Sequence, residues 1–280
     1  MNKKSFPLPI TLGILVIILA TLAYIYVYQA APFPEPWTDV YLNLGLILPA
    51  VLAATLSLLV WRSFDPQDTP RGVWLNFSLG WWCWALADLI WFILFMKDGE
   101  VASTSLADVF WLLAYVPFAA AFTLQYRLIF QTDAQKERRR LILAVLAVLA
   151  GMLVSTLVFF QLNPQTEETF AETLLELFYV FGDLALMIAA LRLSQLFGRG
   201  LWGRAWLGML AFVISDGLYA WLEFSGMYAA SIESGNLLTL LVDSLYGLAY
   251  WIVALACLVQ LLLMRYGPAL APSKELQDSA

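Results

Sequence analysis

Apolar residues run through this chain in long stretches, and the polar residues gather in the short gaps between them. Eight apolar stretches can be drawn, at roughly 8–29, 39–61, 73–96, 106–130, 141–161, 173–197, 205–227 and 237–264. Each holds about 20 residues or more, enough for a helix to cross about 30 Å of hydrocarbon. The predicted fold is therefore an all-α integral membrane protein of eight transmembrane helices. The first stretch follows Met-Asn-Lys-Lys, as a signal peptide would. Its apolar run is too long for one, and Tyr28-Gln29-Ala30 lacks a small-x-small exit, so it reads as a retained span.

A second pattern lies over the first. Arg71-Gly72-x-Trp74, Leu79-Gly80, Asp88 and Trp91 recur 128 positions later as Arg199-Gly200-x-Trp202, Leu207-Gly208, Asp216 and Tyr219. Asp108-x-x-Trp111-x-Leu113-Ala114-Tyr115 recurs 135 positions later as Asp243-x-x-Tyr246-x-Leu248-Ala249-Tyr250. Seven extra residues in the second connecting loop account for the change of offset. Two blocks repeating in series predict a tandem duplication of four-helix units. The units are 1–140 and 141–265, followed by a disordered cytoplasmic tail, 266–280. An even number of spans per unit makes both enter from the same side, so the pseudo-two-fold axis is predicted to lie along the membrane normal.

The basic residues set the orientation. With the N-terminus inside, Lys3, Lys4, Arg62, Arg71, Arg127, Lys136, Arg138, Arg139, Arg140, Arg192, Arg199, Arg204, Arg265 and Lys274 all fall on or near the cytoplasmic side, and Lys97 alone falls outside. The expectation is a multi-pass protein of the cell inner (cytoplasmic) membrane with both termini cytoplasmic. The outer loops are acidic or proline-rich: Asp98 and Glu100 lie in one, Glu167, Glu168 and Glu172 in another, and Glu233 in a third.

Composition fits a protein surrounded by lipid. The chain is 62% hydrophobic and 13% charged, against about 45–50% apolar for a soluble domain. The net charge of −6, with Lys and Arg confined to membrane-flanking runs, argues against nucleic-acid binding. There is no histidine, which removes His-based metal sites and Ser-His-Asp triads. Cys83 and Cys257 lie deep in apolar runs and read as small hydrophobes.

The chemistry lies in the acids within the spans. An ionisable group at the bilayer centre costs about 2.5–3.5 kcal/mol on insertion scales and marks a functional site by default. Asp88, Asp108, Asp183, Asp216, Glu223 and Asp243 are such groups, with no Lys or Arg at comparable depth. Four of them, Asp88, Asp108, Asp216 and Asp243, are predicted to converge on the outer third of the membrane, and Glu223 follows Asp216 by seven residues on the same helical face. Each of the four has an aromatic one turn along: Trp91, Trp111, Tyr219 and Tyr246. Tyr115 and Tyr250 follow Asp108 and Asp243 by seven. These eleven residues are the expected ligand-binding set, an outward-facing acidic and aromatic pocket suited to a cation or an amphipathic amine. The ordinary alternatives are an interfacial aromatic belt and aspartates that fix helix packing. Asp183, near mid-membrane and without a repeat partner, is the weaker candidate. No cofactor and no metal is indicated.

The D-x-x-[WY] span, outer loop and second D-x-x-[WY]-x-L-[AG]-Y span resemble the eight-span membrane sensor regions that precede diguanylate cyclase (GGDEF), PAS or histidine-kinase output domains in bacteria. The resemblance covers residues 71–126 and 199–258 and touches Asp88, Trp91, Asp108, Tyr115, Asp216, Tyr219, Asp243 and Tyr250. It implies a stand-alone sensory or ligand-binding module, with membrane lipid around it and a separate signalling protein or membrane complex as partner. A weaker similarity joins Phe212-x-x-Ser215-Asp216-x-Leu218 to the lysoplasmalogenase-like membrane hydrolases. It implies a lipid hydrolase using Asp88 and Asp216, although the histidine of that pattern is missing. A small transporter is the third reading, with Pro49 and Pro117 as the available helix interruptions.

Overall fold

The computed structural model describes residues 7–99, 101, 104–130, scattered helical positions between 150 and 161, and residues 169–197, 204–224, 227 and 236–266. Among the described residues there are helices and no strands. Seven long helices follow one another: α1 (Pro7–Ala30), α2 (Trp37–Arg62), α3 (Pro70–Asp98), α4 (Leu106–Phe130), α5 (Phe170–Phe197), α6 (Arg204–Phe224) and α7 (Leu237–Tyr266). All seven are long and apolar enough to cross a membrane. They correspond to the predicted spans one to four and six to eight, with edges displaced by about three residues at most. The fifth predicted span, 141–161, lies outside the described residues apart from those scattered positions. So do the Lys136–Arg140 cluster, the loop carrying Glu233 and the tail beyond Tyr266.

Local chemistry sets the helix ends. Pro70 opens α3, where its missing N–H is no loss, and Gly99 closes it in a left-handed turn at φ +77°. Ser105 and Asp108 form a capping pair at the start of α4: Asp108 Oδ2 accepts the Ser105 N–H at 2.7 Å, and Ser105 Oγ accepts the Ala107 N–H. Thr169 and Glu172 do the same for α5. Asn236 caps α7 through the N–H groups of Leu238 and Thr239.

The helices pack in two neighbourhoods. α3 lies between α2 and α4, and α6 between α5 and α7. α7 also packs on α2 and α1, and α4 meets α5. In lipid the apolar faces gain little from burial against one another, so close approach at small residues and interhelical hydrogen bonds must supply specificity. Glycine provides the approach between α3 and α4: a Cβ on Gly80 would meet the Phe118 ring at 2.6 Å. Between α6 and α7, a Cβ on Gly208 would meet Val253 at 2.5 Å from its side chain and 3.0 Å from its backbone nitrogen.

An aromatic core fills the centre. Trp81 is fully buried and makes edge-on contacts with Phe77, Trp84, Phe118, Phe212 and Tyr250. Trp84 of α3 stacks on Phe212 of α6 at 4.2 Å between centroids. Such pairs contribute about 0.5–1.5 kcal/mol each beyond area burial. α1 stands at the edge, held by a separate small cluster of Tyr24, Val27, Tyr28, Leu42 and Leu240.

Candidate functional site

Above the aromatic core the acids are met by tyrosine and tryptophan donors from other helices. Asp88 of α3 accepts Trp111 Nε1–H of α4 at 3.1 Å and the Tyr250 hydroxyl of α7 at 2.8 Å. Asp183 of α5, 5% exposed, accepts the Tyr115 hydroxyl of α4 at 2.6 Å. Asp108 accepts the Tyr179 hydroxyl of α5 at 2.7 Å with the oxygen that is not capping α4. Asp216 of α6 closes the arrangement: its carboxyl lies beside that of Asp183, close enough for the two to share a proton. It also lies within electrostatic reach of Asp88, Tyr115, Tyr179 and Tyr250. Helices α3 to α7 thus meet at neighbouring acids: Asp88 joins α3, α4 and α7, and Asp183 joins α4, α5 and α6.

Glycine again makes room for one of these bonds. A Cβ on Gly182 would stand 2.6 Å from the Tyr115 ring. The bare backbone of α5 lets an edge of that ring approach closely, and the hydroxyl then reaches the next residue, Asp183. Around the phenols, Tyr115 packs edge-on to Trp84 and Phe178, and Tyr250 packs on Trp81 and Phe212.

Of the eleven predicted site residues, the structure brings Asp88, Asp108, Trp111, Tyr115, Asp216 and Tyr250 into this network. Tyr246 borders it through Phe212 and Tyr219. Trp91 stacks on Phe95 along its own helix. Glu223 lies on α6, with its side chain outside the described residues. Asp243 is reached by the Tyr24 hydroxyl of α1 at a long 3.5 Å, and it lines a cavity of about 260 Å³ between α1, α2 and α7. Asp183 and Tyr179, both central here, are not among the eleven. The sequence signal for this part of the site is Asp183 itself, a lone mid-span acid behind Gly182.

Chemically, the network offers acceptors in the carboxyls and donors in the phenols and indole. A hydrogen bond between two carboxyl groups needs a proton on one of them. No Lys or Arg occurs from 141 to 191 or from 205 to 264 to neutralise the acids of α5, α6 and α7 locally. Among the described residues, no group of three or more Asp, Glu, Cys or His is placed to hold a metal ion.

Comparison with known protein families, with curated proteins and with solved structures finds no match for this chain.

Proposed function

We propose that this chain is a polytopic membrane sensory module whose receptor element is the carboxyl cluster of Asp88, Asp183 and Asp216, and whose ligand is the proton. The close pairing of the Asp183 and Asp216 carboxyls, with the Tyr115 hydroxyl on Asp183, carries the reading. Two carboxyls so placed can bond to each other only while one of them holds a proton. Removing the proton leaves two like charges in contact where water is scarce, and their repulsion drives α5 from α6. Tyr115 ties α5 to α4, and Tyr250 ties α7 to α3, so a change at the acid pair alters which helices are cross-linked.

The same reading includes the duplication. Gly80 meets Phe118 and Gly208 meets Val253, and these contacts are related by the two sequence offsets, 128 and 135. Trp84 packs on Tyr115 as Phe212 packs on Tyr250, under the same offsets. Residues on a two-fold axis meet their own counterparts, as Trp84 meets Phe212. Asp183 breaks the relation. Symmetry with the Tyr250–Asp88 bond would place Tyr115 on Asp216, and Asp183 stands between them as the acceptor. The module sits in the cytoplasmic membrane with both termini inside, and a separate signalling protein or membrane complex receives the change.

Spin labels on α5 and α6 test this. Val180 and Ile214 are exposed positions for them, in a protein with Cys83 and Cys257 replaced by alanine. The distance between the labels is expected to lengthen as pH rises in the wild type and to stay fixed in Asp183→Asn. A distance independent of pH in both proteins would overturn the proposal.

A further inference from the structure

The cavity beside Asp243 is separate from the carboxyl cluster and has its own chemistry. It lies where α1 crosses α2 and α7, with Ala20, Gly45 and Gly247 among its lining residues. Its outer side is roofed by the Tyr24, Val27, Tyr28, Leu42 and Leu240 cluster, with the Tyr28 hydroxyl bonded to the Asn236 carbonyl at 3.4 Å. Leu48 lines the cavity and is 61% exposed on the helix surface, so the mouth faces hydrocarbon. An occupant therefore enters sideways from the bilayer and must be amphipathic.

The polar groups are gathered at one level. Asp243 is six residues into α7, about 9 Å from its outer end. Next to it, Ser244 Oγ is buried without a hydrogen-bond partner, although the residue lines the cavity. Across from them Pro49, inside α2, has no N–H to give to the Gly45 carbonyl, and both residues line the same space. A carboxylate, a hydroxyl and a carbonyl deprived of its helix donor make a set of acceptors. Tyr24, Tyr41 and Trp251 add aromatic rings. Leu44, Leu46, Leu48 and Leu248 supply apolar lining, and Thr21 of α1 adds one more hydroxyl. At about 260 Å³ the space falls just under the range of about 300–1,000 Å³ that holds drug-sized ligands, which excludes a two-chain lipid.

We propose that this cavity binds a single-chain amphipathic primary amine, taken from the bilayer, with its ammonium on Asp243, Ser244 and the Gly45 carbonyl. The three N–H donors of an ammonium match the three acceptors, and its charge complements the Asp243 carboxylate. An anionic amphiphile meets repulsion at the same place. The site does not depend on the proton reading of the Asp88, Asp183 and Asp216 cluster.

The test uses the full chain in lipid nanodiscs, titrated calorimetrically with decylamine, decanol and decanoate, each corrected for partition into empty nanodiscs. Decylamine is expected to bind saturably with one site per chain. Decanol is expected to bind at least about tenfold more weakly, and decanoate without saturation. Asp243→Asn should lose at least about tenfold in decylamine affinity. Ala20→Leu, which fills the space with carbon, should abolish saturable binding, and Asp39→Asn, in the first turn of α2 and outside the lining, should bind as the wild type does. Decylamine uptake that only partitions, decanol binding equal to that of decylamine, or unchanged affinity in Asp243→Asn and Ala20→Leu would overturn the assignment.

Discussion

Trp84 and Phe212 stack with ring planes 26° apart, and they are 128 positions apart in the chain, the offset that separates the repeated motifs. An aromatic pair of this kind ties α3 to α6 at the centre of the aromatic core.

Exchange of the two rings follows as a prediction. Trp84→Phe alone leaves space, and Phe212→Trp alone overpacks, each costing about 1–3 kcal/mol. The double exchange, Trp84→Phe with Phe212→Trp, restores the summed volume across the pair. It should cost less than the sum of the singles by at least about 0.5 kcal/mol. Unfolding in mixed micelles measures all three proteins.

Glycine contacts give a graded series. Gly208→Ala drives a Cβ onto the Val253 backbone, which cannot rotate away, whereas Gly80→Ala meets the side chain of Phe118. Gly217→Ala meets nothing within 4 Å. The predicted order of destabilisation is Gly208→Ala, then Gly80→Ala, then Gly217→Ala, with about 1–3 kcal/mol for the first. Phe118→Leu should recover part of the Gly80→Ala loss and none of the Gly208→Ala loss. Thermal unfolding in detergent ranks them.

Gly182 and Tyr115 act as one unit. Gly182→Ala pushes the Tyr115 ring off α5, and Tyr115→Phe removes the hydroxyl that reaches Asp183. The lost interhelical bond is worth about 0.6–2 kcal/mol in a membrane. Combined, the two changes should cost clearly less than their sum, because the bond can be lost only once. Additive costs would mean that Gly182 serves some other contact.

Asp88 has two donors, so its bonds should be partly redundant. Tyr250→Phe and Trp111→Phe each leave one donor in place and should cost about 0.6–2 kcal/mol or less. Removing both leaves a buried acceptor unsatisfied, and the double variant should exceed the sum of the singles. Equilibrium unfolding of the four proteins closes the cycle.

The spans were legible because lipid imposes a length on every helix, and a chain 62% apolar carries that length in plain view. The ends of α3 moved outward to Pro70 and Asp98 because a proline start and a left-handed Gly99 overrule hydropathy at the margins. The repeat pointed to Asp88, Asp216, Tyr115 and Tyr250 as related residues. It could not tell that Tyr250 would reach Asp88 across 162 positions, since a repeat fixes equivalence and leaves the docking of the halves open. Asp183 was discounted because it has no counterpart. Its place between Tyr115 and Asp216 comes from packing of α5 against α4 and α6, which no local pattern in α5 encodes. Tyr24 lay in a span with no polar motif and gained meaning only when α1 was set beside Asp243.

Infrared difference spectroscopy of the carboxylic C=O stretch, recorded on the bilayer-embedded protein as pH is raised, tests the shared proton most directly. The wild type should show a protonated carboxyl band at low pH that disappears on alkalinisation. That band should be lost or shifted in Asp183→Asn and in Asp216→Asn, and kept in Asp39→Asn. A wild type with no protonated carboxyl band at any pH where it is folded would contradict the proton-binding cluster. So would a band that both Asp183→Asn and Asp216→Asn leave unchanged.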